Sequence, residues 1–156
     1  MRSKVYIETS IPSFYFEVRP EPKMVARRDW TGEWCDHHRQ NYTLVTSEAV
    51  LDELNQGDHP NKDSTLALIE TVPLLAIDEA IGEIVESYIK HKLMPRDPLG
   101  DALHLALASY NKCDFLLTWN CKHLANANKF DHIKRTNTLL GLYVPKLVTP
   151  LELLGG

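Results

Sequence analysis

Short apolar runs alternate along the chain with longer stretches of helical spacing, which predicts strands separated by helices. Residues 4–8 (Lys4-Val5-Tyr6-Ile7-Glu8) read as a strand, with three apolar, β-prone positions in a row. Thr9, Ser10 and Pro12 then suit the start of a helix or turn. Residues 23–38 predict a helix with Met24, Trp30 and Trp34 as its apolar positions. Residues 42–46 form a second expected strand, and Ser47 reads as the N-cap of a helix over 48–56. In that helix Val50 and Leu54 lie four apart, with Glu53 beside them. A loop over 57–61 leads to a helical segment over 65–70, and residues 74–77 predict a third strand. Asp78 then caps an amphipathic helix reaching about residue 91, with Ile81, Ile84, Val85 and Tyr88 on one face. Residues 94–100 are a proline-broken connection, 101–110 an Ala/Leu-rich helix and 115–118 a fourth strand. Residues 130–141 suit helix with a little strand, and 146–149 suit a last strand before Pro150 opens a final turn. Strands alternating with helices predict an α/β fold with a mainly parallel central sheet.

Composition narrows this reading. The 156 residues carry 44% hydrophobic and 24% charged side chains, which predicts one globular domain over 1–156 rather than disorder. No apolar run approaches the ~20 residues of a membrane span. Met1-Arg2-Ser3-Lys4 is followed only by a short apolar stretch, so the expected compartment is the cytoplasm. The net charge is −4, so nucleic-acid binding would rest on a local basic patch or a bound cation, not on bulk charge. Cys35, Cys113 and Cys121 make an odd set without a C-x-x-C pair and read as reduced thiols.

In parallel sheets, sites form where the chain leaves the carboxyl ends of strands. Glu8 ends the first strand, Glu53 lies on the helix after the second, Asp101 opens a helix and Asn120 follows the fourth strand. Brought together, three carboxylates repel one another unless a cation joins them. Mg²⁺ and Mn²⁺ prefer such oxygen donors, acidify a water and offset charge developing on a phosphate. Asn120 offers a carbonyl oxygen to a metal but no charge. The same acids also have an ordinary explanation, because acids favour helix starts and Glu53 fits a solvated helix face.

Three segments carry a family resemblance: Val5-Tyr6-Ile7-Glu8-Thr9-Ser10-Ile11-Pro12-Ser13, Gly100-Asp101-Ala102-Leu103-His104-Leu105-Ala106 and Leu116-Leu117-Thr118-Trp119-Asn120-Cys121-Lys122-His123. In order and spacing they resemble the signature segments of PIN domains, closest to the VapC-like ribonuclease toxins of type II toxin–antitoxin systems. The resemblance implies a PIN-like (Rossmann-like) three-layer sandwich and Mg²⁺- or Mn²⁺-dependent hydrolysis of RNA. It implies Glu8, Glu53, Asp101 and Asn120 as the catalytic set, with Glu8, Asp101 and Asn120 on the metal. Thr9, Ser10, Thr118 and His104 become candidate substrate contacts. A VapB-like antitoxin, a homodimer and no membrane partner are implied as well. Two positions depart from the family: Glu8 stands where Asp is usual, and Asn120 stands where an acid is usual. The expectation is one tightly held metal, with a second weak or arriving with substrate. The alternative is a weak or inactive PIN-like protein that binds RNA or a protein partner.

Other chemistry has less support. There is no G-x-S-x-G elbow, no Walker loop and no G-x-G-x-x-G. Asp97, four residues before Asp101, is either an extra acid of the site or a turn residue. Basic residues gather as Arg19, Lys23, Arg27 and Arg28, as Lys90, Lys92 and Arg96, and as Lys129, Lys134 and Arg135. Each group reads as a solvated face or a phosphate track. Phe14, Tyr15 and Trp119 are candidate platforms for an unpaired base.

Overall fold

The computed structural model describes residues 1–94 and 100–155. Asp97 and Arg96 lie outside the described residues. The fold is α/β, with a five-stranded sheet in the order β3-β2-β1-β4-β5. The strands are β1 (Lys4–Ile7), β2 (Thr43–Ser47), β3 (Leu74–Leu75), β4 (Phe115–Leu117) and β5 (Lys146–Val148). Every pairing is parallel, and Tyr6 lies opposite Val45 on one side and Leu116 on the other. β1 is central and covered on both faces. This explains its unbroken apolar run, since a strand buried on both faces has no reason to alternate.

The helices are α1 (Ser10–Tyr15), α2 (Pro22–His37), α3 (Glu48–Asn55), α4 (Lys62–Ile69), α5 (Glu79–Lys90), α6 (Asp101–Tyr110) and α7 (Ala127–Leu139). Alternation along β1 separates them into two layers. Ile7 lines a small apolar void with Ile11 of α1, Trp34 of α2 and Ile69 of α4. Tyr6 turns the other way, towards His104 of α6. Each residue of α6 from Ala102 to Ser109 is buried, which suits a helix apolar almost all round. Among the described residues, no helix is long and apolar enough to cross a membrane.

The elements differ from expectation mostly at their ends. β3 stops at Leu75, and Ile77 is exposed beyond it. α4 begins at Lys62, three residues early, and α7 is helical throughout from Ala127. Asp78 does cap α5, accepting a bond from the Ile81 amide at 3.3 Å. Ser47 precedes α3 as expected, but its side chain makes no capping bond.

The strand order positions the site. From β1 the chain steps outward to β2 and β3, then returns to the other side of β1 for β4 and β5. The topological switch therefore lies between β1 and β4, and the crevice beyond their carboxyl ends is where an open parallel sheet binds ligands.

Candidate functional site

Glu8 follows β1 directly and leaves the strand on the same side as Tyr6. It is 6% exposed, an unusual burial for a carboxylate. Its Oε1 accepts three bonds: from the Ser10 amide (3.0 Å), from Ser10 Oγ and from Thr118 Oγ1 (2.7 Å). These donors fix the rotation of the carboxylate. Its Oε2 has no hydrogen bond among the described residues and is not sealed from solvent. Ser10 Oγ in turn accepts the Trp119 amide (2.7 Å), and Thr118 Oγ1 accepts the Asn120 amide (2.9 Å). The turn after β4 is thereby tied to Glu8.

Glu53 reaches the same place from α3. Its Oε1 accepts from His104 Nε2, and its side chain is 32% exposed. One polar atom from each of Glu8, Glu53 and His104 lies within 4.8 Å of the others. His104 itself is not free to ligate. Its Nδ1 meets the Tyr6 hydroxyl at 2.7 Å, and that hydroxyl meets Ser47 Oγ at 2.8 Å. With the ring buried and both nitrogens engaged, His104 has none to offer a phosphate. Its position makes it the holder of Glu53 instead. Burial is the largest single influence on its charge and opposes it. The bond to Glu53 and the negative charges of Glu8, Glu53 and Asp101 outweigh burial, so the pKa is raised. Burial also holds the Tyr6 phenol well above its usual range, against the opposing bond to Ser47.

Asp101 is the first residue of α6, where the helix dipole favours a carboxylate. Its Oδ1 accepts from Asn120 Nδ2 at 2.8 Å. The Asn120 carbonyl oxygen faces away and accepts the amides of Lys122 (3.2 Å) and His123 (3.1 Å). Two backbone donors on that oxygen fix the amide's orientation, because a flip would set its NH₂ against two N–H groups. Asn120 thus presents a donor to the acids, whereas the expectation was a carbonyl ligand. In this geometry it orients Asp101.

The structure therefore gathers Glu8, Glu53, Asp101, Asn120, Ser10, Thr118 and His104 at one edge. Ser10 and Thr118 are engaged with Glu8 and have no free hydroxyl for substrate. Thr9 Oγ1 is buried without a partner. Phe14 and Trp119 are buried, and the Arg27 guanidinium lies over both rings at 5.5 and 5.2 Å, so neither offers a face to a base. All three cysteines are free, and burial pushes Cys35 and Cys113 up to about 12. Sequence reasoning missed Tyr6 and Ser47. The signal for Tyr6 was its parity with Glu8 on one strand.

The fold and this edge define an α/β protein with an acidic centre at the switch of a parallel sheet. Compared with known families and with curated proteins, the chain matches no family model and no curated sequence.

Proposed function

We propose that this protein is a metal-dependent endoribonuclease of the PIN-like, VapC-like kind, acting on RNA phosphodiester bonds. The observation that carries the reading is that Glu8, Glu53 and His104 each place one polar atom within 4.8 Å of the others, while Asn120, in the turn tied to Glu8 through Thr118, holds Asp101. The donors fit Mg²⁺ or Mn²⁺: they are carboxylate oxygens, and Glu8 Oε2 has no hydrogen bond among the described residues and is not sealed from solvent. Glu8 and Asp101 would hold the ion, and Glu53 would hold its water. When bound, such an ion supplies charge neutralisation at the phosphate and a lowered water pKa.

The chain's own contribution is alignment. Ser10 and Thr118 lock Glu8, Asn120 locks Asp101, and His104 locks Glu53. Glu53 Oε2 is the oxygen left to take a proton as water adds to phosphorus and the sugar oxygen leaves. The same reading proposes a cytoplasmic toxin, a homodimer and a VapB-like antitoxin that silences it.

A labelled panel of mixed RNAs with Mn²⁺, with Mg²⁺ and with EDTA tests the reading. The expected result is metal-dependent cutting that disappears in Asp101→Asn. A second reading, a weak or inactive protein that binds RNA or a partner, is favoured by the Asn120 amide standing where an acid would bring charge. Wild-type cutting no greater than that of Asp101→Asn would select it.

A further inference from the structure

Two of the basic groups in the sequence meet in space. Lys90 ends α5, Lys92 follows it with a left-handed backbone (φ 55°), and Lys129 lies in the first turn of α7. With Leu93, Met94 and His123 they line a cleft of about 590 Å³. None of the three lysines has a carboxylate partner among the described residues. Among the described lysines and arginines only Arg19 with Glu17 (2.7 Å) and Arg28 with Asp29 (3.2 Å) form such pairs, so what sets these lysines apart is that they share one cleft. In a chain of net charge −4, three ammonium groups lining one cleft make a local positive patch.

The cleft adjoins the acidic centre. The His123 amide donates to Asn120 Oδ1, and the other end of that side chain holds Asp101. His123 Nδ1 is buried with no hydrogen-bond partner, an unspent polar atom in a residue of the cleft wall. Three carboxylates repel an approaching polyanion, so a strand that presents one phosphate to them needs an attractive contact close by. Flexible lysines are suited to this as point charges for phosphate.

We infer that the cleft between the end of α5 and the start of α7 is a phosphate-binding subsite, gripping the RNA strand beside the bond presented to Glu8 and Asp101. The inference rests on reading the acids as a phosphodiester site. An acidic peptide also suits lysines, but it offers nothing to the adjoining acids, whereas an RNA backbone runs from one to the other.

The test is fluorescence anisotropy of a short labelled single-stranded RNA, in EDTA, across a salt series. Each phosphate contact adds about 0.7 to the slope of log affinity on log salt, so K90Q/K92Q/K129Q should reduce the slope by about 2. K134Q/R135Q, in the cleft on α7 lined by Asp131 and Leu139, should leave it nearly unchanged. Lys129 is half-buried and the other four are exposed, and circular dichroism would check the fold. An unchanged slope in the triple variant, an equal loss in the control, or no RNA binding by wild type at low salt would each overturn the inference. So would polyglutamate binding that is lost in the triple variant while RNA binding persists. Because no turnover is needed, lysine-dependent binding without cleavage in Mn²⁺ keeps the subsite and removes the nuclease. Cleavage with lysine-independent binding does the reverse.

Discussion

Two buried polar networks in this protein are built from nearly the same parts and end differently. Between α5, α6 and α7, the Tyr88 hydroxyl meets Asn137 Oδ1 (2.6 Å) and Ser109 Oγ (3.3 Å). Asn137 Nδ2 closes the group on Ser109 Oγ and on the Tyr143 carbonyl, both at 2.9 Å. Every member is neutral and every bond ends inside the protein. At the sheet edge, a second buried tyrosine, Tyr6, meets Ser47 and His104, but this chain continues to Glu53, which is partly in solvent. The closed network fastens three helices and has nothing left to offer. The open one carries its rigidity out to a carboxylate whose other oxygen has no hydrogen bond among the described residues. A buried polar network therefore signals a site only when it terminates in a group that can act.

The sharpest way to break this comparison is to cut each network at its centre. Asn137→Ala strands the Tyr88 hydroxyl, Ser109 and the Tyr143 carbonyl, and should cost roughly 3 kcal/mol. For a chain of this size that is a fall in Tm of roughly 6–12 °C. Mn²⁺ affinity, followed by calorimetry on the folded protein, should not change. A loss of Mn²⁺ affinity here would show that the closed network also serves the site, and the distinction would fail.

His104→Gln is the matching cut at the sheet edge. Groups that orient a metal-site carboxylate are worth about 10–100-fold in metal affinity or activity. We expect a loss of that size in Mn²⁺ binding, larger than the accompanying change in Tm would suggest. Unaltered Mn²⁺ affinity in a stably folded variant would reduce His104 to a core residue.

Much of this architecture could be read in the chain, and the failures have physical causes. The apolar run of β1, the capping Asp78 and the Ala/Leu-rich run of α6 are local signals that the fold keeps, whereas the Ser47 cap is one that it does not. The edge strand β3 was overestimated because Ile77 is β-prone, yet only Leu74 and Leu75 find a partner strand. Glu8, Glu53, Asp101 and Asn120 could be grouped because the sheet rule brings strand ends together. Their roles could not, since which end of the Asn120 amide faces Asp101 depends on how the turn after β4 folds and brings the Lys122 and His123 amides onto its carbonyl oxygen. The lysine cleft was hidden for a similar reason. Lys92 and Lys129 are far apart in sequence, and only the folded chain brings them to one cleft.

Ser47 gives the finest test of the comparison. Its place before α3 resembles an N-cap, and a lost cap costs about 1 kcal/mol by itself. The structure instead gives its hydroxyl to Tyr6, with no capping bond. The two accounts differ in a double-mutant cycle. If Ser47 were a cap, Ser47→Ala would cost the same in wild type and in Tyr6→Phe, because the helix start does not involve the phenol. If the hydroxyl serves the open network, most of its cost disappears once Tyr6→Phe has removed its partner. The expected coupling is about 1 kcal/mol, measured by urea denaturation. Additive effects would return Ser47 to the helix and shorten the network to Tyr6, His104 and Glu53. Coupling, with Mn²⁺ affinity falling a few-fold in Tyr6→Phe and not at all in Tyr88→Phe, would extend the support of Glu53 across the sheet to β2.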